Sequence, residues 1–293
     1  MQTDVIYRFA PSSNGLMHLG HAYSALLNLR LARENNGACL LRIEDIDTVR
    51  CTPVNEKNML EDLEWVGFEW DAEPLRQSRR FEHYSSVIGD LFDEGLVYPS
   101  SMSRREIAES VEAMTANGKS WLNDPDGAPH YPGNERSLNI EDHMSLMSSG
   151  QDYTMRLDME KAIASISSPL EWNETGSGPE GQTGRISGEP HSWGDVVLGR
   201  KDVPASYHLS VVLDDAQQGI TDVVRGRDLF YATAVHRLLQ ELLQLPVLNY
   251  HHHDLILDES GRKLSKSNSS TALRHLREAG MTPSDIRRMV GLD

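Results

Sequence analysis

"VIYRFAPSSNGLMHLGHAYSALLNLRLARENNGACLLRIEDID", residues 5–47, sets the architecture of the chain. "VIYRF" (5–9) alternates and is rich in β-formers, so it reads as a strand. From Met17 to about Arg33, the positions Ala22, Leu26, Leu29 and Ala32 recur at helical spacing. "GACLLRIEDID" (37–47) then reads as a buried second strand that ends in acids. Strand, helix, strand is the opening of an α/β domain built on a parallel sheet. The helix starts at His18 and His21, with Gly20 between them. A loop turning into a helix N-terminus is an anion site, because unpaired N–H groups and the positive end of the helix dipole face the ligand. Imidazoles add donors for phosphate oxygens, and a glycine lets a flat base approach the backbone. On its own the quartet is also the pattern of two capping or core histidines.

A chain of 293 residues, 39% hydrophobic, can build one large domain or two modest ones with a proper core. The longest apolar runs are a handful of residues, and "MQTDVIYRF" lacks the basic flank and apolar stretch of a signal peptide. A cytoplasmic location with no membrane segment is expected. Two cysteines, Cys39 and Cys51, are too few for a disulfide framework or a four-thiolate metal site. A net charge of −16 argues against a surface that coats nucleic acid broadly, while leaving room for a local basic groove.

Further along, Thr52 and Pro53 start a helix as cap and first-turn proline, with Met59, Leu60, Leu63 and Val66 on one face. "RFEHYSSVIGDLFDEGL" (80–96) reads as another helix. Between Pro99 and His191, Gly, Pro, Asn and Ser accumulate in "NDPDGAPHYPGNE" and "NETGSGPEGQTGRISGEP", which read as loops. Regularity returns in "WGDVVLGR", "SYHLSVVLDDAQQG" and "ITDVVRGRDL", then a helix in "TAVHRLLQELLQL" and a strand in "HHHDLILD". Thr282, Pro283 and Asp285 make a capping box. The expected division is residues 1–98 as the first half of a nucleotide-binding domain and 99–190 as an insertion. Residues 191–258 follow as the second half, and 259–293 as a mobile loop with short helices.

The other chemistry-bearing stretch is "GRKLSKS" (261–267), where Lys263 and Lys266 sit among Gly and Ser. Compact ammonium groups on such a loop suit a phosphoryl group that gains charge in a transition state. "HLGH" and "KLSKS" together resemble the paired signatures of class I aminoacyl-tRNA synthetases. "RFAPSSNGLMHLGHA", "LLRIEDID", "GDVVLGRKD", "SYHLSVVLDD", "GITDVVRGRDL" and "LILDESGRKLSKS" resemble the glutamyl-tRNA synthetase catalytic core in order and rough spacing. Only 26 residues follow Ser267, which leaves no room for an anticodon-binding domain, and Val211 stands where full-length enzymes usually have asparagine. Both departures resemble the short glutamyl-queuosine tRNA(Asp) synthetases.

That resemblance implies a class I Rossmann-like α/β fold, with an insertion and a short helical C-terminus. It implies activation of L-glutamate by ATP with Mg²⁺, then transfer to the queuosine base of tRNA(Asp), by a monomer. By the same resemblance, His18, Gly20 and His21 hold ATP with Lys263 and Lys266, and His18, His21 and Lys266 are catalytic. Arg8, Ser12, Glu44, Tyr207 and Arg225 fall where the family contacts glutamate. Two guanidiniums can pair with carboxylates in fork geometry, and an acid with a phenol can receive an ammonium. Which arginine meets which carboxylate stays open.

Many members of this branch bind zinc in the insertion, but here the matching positions hold Ser100, Met102, Tyr131 and Glu135. That is a poor ligand set for an ion that takes thiolate and imidazole, so no zinc is expected. "HHH" (251–253) should alternate across a strand and so cannot share one ion. Trp121, Trp172 and Trp193 read as anchors for the loop-rich middle, with stacking on RNA bases as the alternative. Arg104, Arg105, Arg274, Arg277, Arg287 and Arg288 read equally as phosphate contacts or as partners of the many acids. Three other functions stay open: a truncated glutamyl-tRNA synthetase charging a tRNA 3′ end, a catalytically silent RNA- or protein-binding paralogue, and transfer of the activated glutamate to a protein or small molecule.

Overall fold

A computed structural model describes residues 5–256 and 272–293. The opening unit forms as its pattern requires: β1 (Ile6–Phe9), α1 (Leu19–Glu34) and β2 (Ala38–Ile43), with β1 and β2 parallel. Helix α2 (Pro53–Val66) starts on the Thr52 side chain, which accepts from Asn55 N, and ends on Gly67 at φ 79°, a backbone region that suits glycine. A short β3 (Leu75–Arg76) pairs with β2, and α3 (Phe81–Asp93) follows.

The middle of the chain supplies β4 (Val97–Ser100), α4 (Arg104–Ala116), α5 (Ile140–Ser148), β5 (Thr154–Leu157) and α6 (Met159–Ala164). Then come β6 (Glu171–Glu174), β7 (Gly184–Ser187) and β8 (Val197–Arg200). The last part holds α7 (Tyr207–Gln217), β9 (Asp222–Gly226), α8 (Thr233–Leu242) and β10 (Asn249–His253). Helices α9 (Leu273–Glu278) and α10 (Pro283–Met289) close the described chain.

The main sheet runs β3-β2-β1-β9-β10-β6-β7, parallel except for the β6–β7 hairpin. A second, antiparallel sheet runs β4-β5-β8. This division differs from one cut at 98 and 190. Strands β6 and β7, inside the expected insertion, extend the main sheet, while β8, beyond it, belongs to the small one. The physical reason is that "EWNE" buries alternate residues, Trp172 and Glu174, against β10. Gly/Pro-rich flanks hide so short a strand from a reading by periodicity.

Chain order reverses between β1 and β9, since β2 lies on one side of β1 and the later strands lie on the other. At such a switch point the loops beyond the strands' carboxyl ends diverge and leave a crevice. Trp172 and Trp193 are buried, Trp172 against Phe230 and Tyr250, so both act as anchors. No helix among the described residues is long and apolar enough to cross a membrane.

One packing feature works against stability. Asp62 on α2 is 1% exposed, neither of its carboxylate oxygens accepts a hydrogen bond from a described residue, and the Arg277 guanidinium is 3.6 Å away. Burial pushes its carboxyl up to about 6, against the pull of Arg277 and Arg274. The folded state then binds this proton more tightly than the unfolded one, so stability is lost as pH rises from about 4 to about 6. Asp62→Asn should raise stability at pH 8 by about 1–2 kcal/mol and flatten the melting temperature across that window. Thermal melts at pH 4.5 and 8 check this, and a less stable variant at pH 8 would contradict it.

Candidate active site

Residues from the ends of β1, β2, β9 and β10 and the start of α1 line one cavity of about 900 Å³. Its wall includes Arg8, Ser12, His18, Gly20, His21, Glu44, Tyr207 and Arg225, eight positions that are scattered over more than 200 residues of sequence. Lys263 and Lys266 lie outside the described residues. The backbone just after that stretch returns to the cavity mouth, where Leu273 N donates to Met17 O at 2.8 Å and Ala272 bridges to His18.

At the start of α1 the two histidines build a capping box. His18 Nδ1 accepts from Gly20 N at 3.1 Å, and His21 Nδ1 accepts from His18 N at 3.1 Å. An imidazole whose Nδ1 accepts carries its proton on Nε2 when neutral, so both rings present an Nε2–H donor. The capping reading and the phosphate reading of this quartet are therefore compatible. The rings lie 3.8 Å apart between centroids. A Cβ at Gly20 would sit 3.0 Å from His18 Cε1, so the glycine also makes room for the capping ring.

The deeper wall is a buried charge cluster. Asp215, in the last turn of α7, would be disfavoured there by the helix dipole and by burial. Two guanidiniums hold it: Arg8 Nε at 2.9 Å and Arg42 Nη1 at 2.5 Å. Burial raises the Asp215 carboxyl, but the charges and hydrogen bonds of Arg42 and Arg8 outweigh it and leave the group below its ordinary range. Arg42 also donates to Glu44 Oε1 at 3.1 Å. For Glu44, burial outweighs both arginines and the carboxyl lies above its ordinary range. Next door, Asp214 accepts from Gln77, Arg80 and Tyr84, which ties α7 to the start of α3.

Arg225, at the end of β9, spends four of its five N–H groups on hydrogen bonds of 3.1 Å or less within the protein. Its Nε–H donates to His252 Nε2 at 3.0 Å and its Nη1–H to His236 Nδ1 at 3.1 Å. Nη2 serves Leu229 O and Thr233 Oγ1. The remaining Nη1–H makes a long 3.5 Å contact to Tyr207 Oη. Arg8 spends Nε and Nη2 on Asp215, and its Nη1 makes no hydrogen bond to a described residue. Neither arginine offers an open fork, which corrects the expectation of two bidentate clamps. Arg8 has an unspent Nη1, whereas Arg225 has one loosely used proton beside Tyr207. Burial pulls His208 down to about 4, followed by the charge of Arg225, and His236 falls with it, so this wall is neutral apart from the guanidinium.

Arg42, Asp214, Asp215, His236 and His252 went unselected in the sequence. The local signals are the double acid of "SVVLDD" at the end of an apolar helix and the "HHH" run that holds His252.

The positions matched to the family's zinc ligands hold a polar corner of another kind. Tyr131 donates to Glu135 at 2.8 Å, Ser100 bonds Thr154, and Arg156 lies 4.2 Å over the Tyr131 ring while donating to Ser100. A guanidinium threaded through a phenol, a hydroxyl and one carboxylate does not fit zinc. His130 and His143 each point Nε2 at a backbone carbonyl, of Ser192 and Glu135. The histidines of "HHH" find separate partners in Thr175, Glu174 and Asp254. Of the candidate phosphate contacts, Arg105, Arg274, Arg277 and Arg288 are in ion pairs.

Residues 4–292 match the family model of tRNA synthetases class I (E and Q), catalytic domain. The chain is 43% identical to a glutamyl-Q tRNA(Asp) synthetase from Rhodobacter capsulatus, over 98% of this chain and 100% of that one. It is 36% identical to a glutamate–tRNA ligase from Prochlorococcus marinus, over 94% of this chain but 55% of that protein. Thus it spans about half the length of the glutamate–tRNA ligases it matches. Among solved structures it is similar to the glutamate–tRNA synthetase of Elizabethkingia anophelis, with a TM-score of 0.72 and 27% identity over 95% of this chain and 54% of that one. A glutamate tRNA ligase from Elizabethkingia meningosepticum, solved in complex with its amino acid, aligns with a TM-score of 0.72 and 28% identity, covering 91% and 53%.

Removing the hub of the charge cluster should be costly. Asp215→Ala strands two buried guanidiniums and is expected to lower stability by about 3–5 kcal/mol in urea titrations. A loss under about 1 kcal/mol would mean that water or Glu44 already neutralises them.

Proposed function

Because the chain belongs to the class I tRNA synthetase catalytic-domain family for glutamate and glutamine, we propose that it activates glutamate with ATP and transfers it to the queuosine base of tRNA(Asp). The observation that carries this reading is the convergence of the α1 N-terminus and the guanidinium cluster on one cavity. A nucleotide's phosphates at the first and an acidic amino acid at the second bring a carboxylate and an α-phosphate side by side. The queuosine acceptor is favoured over a tRNA 3′ end by the higher identity, 43% against 36%, to the relative named for that reaction.

In the first step the glutamate α-carboxylate attacks the α-phosphate, giving glutamyl-adenylate and pyrophosphate. The Nε2–H groups of His18 and His21 and the N–H groups that open α1 donate to phosphate oxygens, and orientation lowers the barrier. Lys266, with Lys263, would meet charge that grows on the phosphates. Among the described residues no group of three or more His, Cys, Asp or Glu side chains is placed to hold a metal ion. Mg²⁺ would come as the counter-ion of ATP. In the second step a hydroxyl of the queuosine cyclopentenediol attacks the acyl carbon, AMP leaves, and an ester forms.

Selection of glutamate follows from where the charged groups sit. Of the side chains that line the cavity, Arg8 and Arg225 are cationic and Glu44 and Asp228 anionic, so the guanidiniums suit the substrate's carboxylates and the acids suit its ammonium. Arg8 Nη1 is the main carboxylate donor, with Arg225 and Tyr207 adding one hydrogen bond each. The second oxygen of Glu44 has no hydrogen bond to a described residue and is available to the ammonium. Glutamine would set a neutral amide where the guanidinium side of the wall meets a carboxylate.

ATP–pyrophosphate exchange with glutamate, glutamine and aspartate tests this proposal. Exchange with glutamate alone, without tRNA, is expected, with the other two at least about 100-fold weaker. Lys266→Ala should lose exchange while its melting temperature holds. No exchange with or without tRNA would point to a silent binding module, and exchange only with tRNA would favour the conventional synthetase.

A further inference from the structure

Behind Arg225, away from the cavity, stands a buried carboxylate–imidazole pair. Glu174 ends β6 and His252 lies in β10 beside it, and both side chains are fully buried. Four donors surround the carboxylate. Oε1 accepts from His252 N at 2.8 Å and Gly176 N at 3.0 Å. Oε2 accepts from His252 Nδ1 at 2.6 Å and, more weakly, Trp172 Nε1 at 3.4 Å. Gly176 is part of the device, because a Cβ there would lie 2.3 Å from His252 O.

This arrangement dictates where the His252 proton sits. A carboxylate only accepts, so Nδ1 carries the hydrogen and Nε2 is left as a bare lone pair. That lone pair accepts Arg225 Nε–H at 3.0 Å. With the opposite tautomer, Nε2–H would face Nε–H and the guanidinium would have to turn. On the other side His236 offers Nδ1 to Arg225, so two imidazole acceptors fix the plane of one cation. Burial holds His252 down at about 4, so the ring stays neutral and does not repel the arginine.

We propose that Glu174 and His252 are positioning residues, which set the His252 tautomer so that Arg225 and Tyr207 meet the substrate carboxylate at a fixed point. A pair that served stability alone would be an odd choice, since buried charge is commonly replaced by apolar packing at no loss. The proposal rests on the reading of the cavity as a glutamate site. It also gives the β6–β7 extension a task in amino-acid binding, by delivering Glu174 to the sheet.

Glu174→Gln is the informative variant. The two backbone N–H groups hold the amide oxygen at the Oε1 place, so the amide NH₂ faces Nδ1 and drives the proton to Nε2. Exchange kinetics should show KM for glutamate raised roughly 10- to 100-fold, the range for one charge-assisted hydrogen bond, with KM for ATP within about twofold. The imidazole ¹⁵N spectrum should show His252 switching from the Nδ1–H to the Nε2–H form, and Glu174→Asp should recover part of the affinity. An unchanged tautomer, or a fall in melting temperature with both KM values unmoved, would overturn the proposal. The ¹⁵N measurement needs no turnover, so wild-type protein without glutamate-dependent exchange would strike the functional reading, while an unchanged tautomer would strike this one.

Discussion

Asp215 between Arg8 and Arg42 is the contact on which the site depends. It joins β1, β2 and α7, so it stitches the opening unit of the fold to the part that follows the small sheet. An isolated carboxylate in that place would be expelled or protonated, and two isolated guanidiniums would not stay buried. Together with Glu44 they form a rigid wall in which two guanidiniums and two carboxylates balance. The same contact that closes the fold thus fixes Arg8 in the cavity wall, with Nη1 not spent on Asp215.

The other wall follows from topology. Parallel strands leaving in opposite directions from β1 open a crevice at their carboxyl ends, and α1 starts there with its dipole directed into it. Histidine at both ends of the capping box is unusual chemistry for a cap, because Ser, Thr or Asp would satisfy the same N–H groups. What imidazole adds is a second nitrogen. Capping uses Nδ1 and places the proton on Nε2, so helix initiation and the proposed phosphate contacts draw on the same two side chains. The Arg225 wall works by a related device, since Glu174 chooses the proton position on His252 as the backbone chooses it on His18 and His21.

Local signals were legible wherever the physics is local. The β1–α1–β2 unit, the Thr52–Pro53 start and the Thr282–Asp285 capping box form where the residue pattern puts them. The positions proposed for glutamate lie in motifs that resemble a known family, and the fold gathers them at one cavity. What the sequence hid is long-range. Arg8 and Asp215 are 207 positions apart, Glu174 and His252 are 78 apart, and nothing in either neighbourhood marks its partner. Strand β6 was hidden because four residues give too short a run for alternation to stand out, and because its burial depends on β10. The fork geometry expected of the arginines failed for the same reason, since the acceptors that occupy them come from distant elements.

The central claim is that this cavity makes glutamyl-adenylate for the queuosine base and not for a tRNA terminus. The most direct measurement is the location of label after incubation of the protein with ATP, ¹⁴C-glutamate and tRNA(Asp), followed by nuclease digestion and separation of nucleosides. Label on the queuosine nucleoside is the predicted result, with none incorporated into tRNA(Asp) that lacks queuosine. Label on the 3′-terminal adenosine, or equal incorporation with and without the modified base, would contradict it.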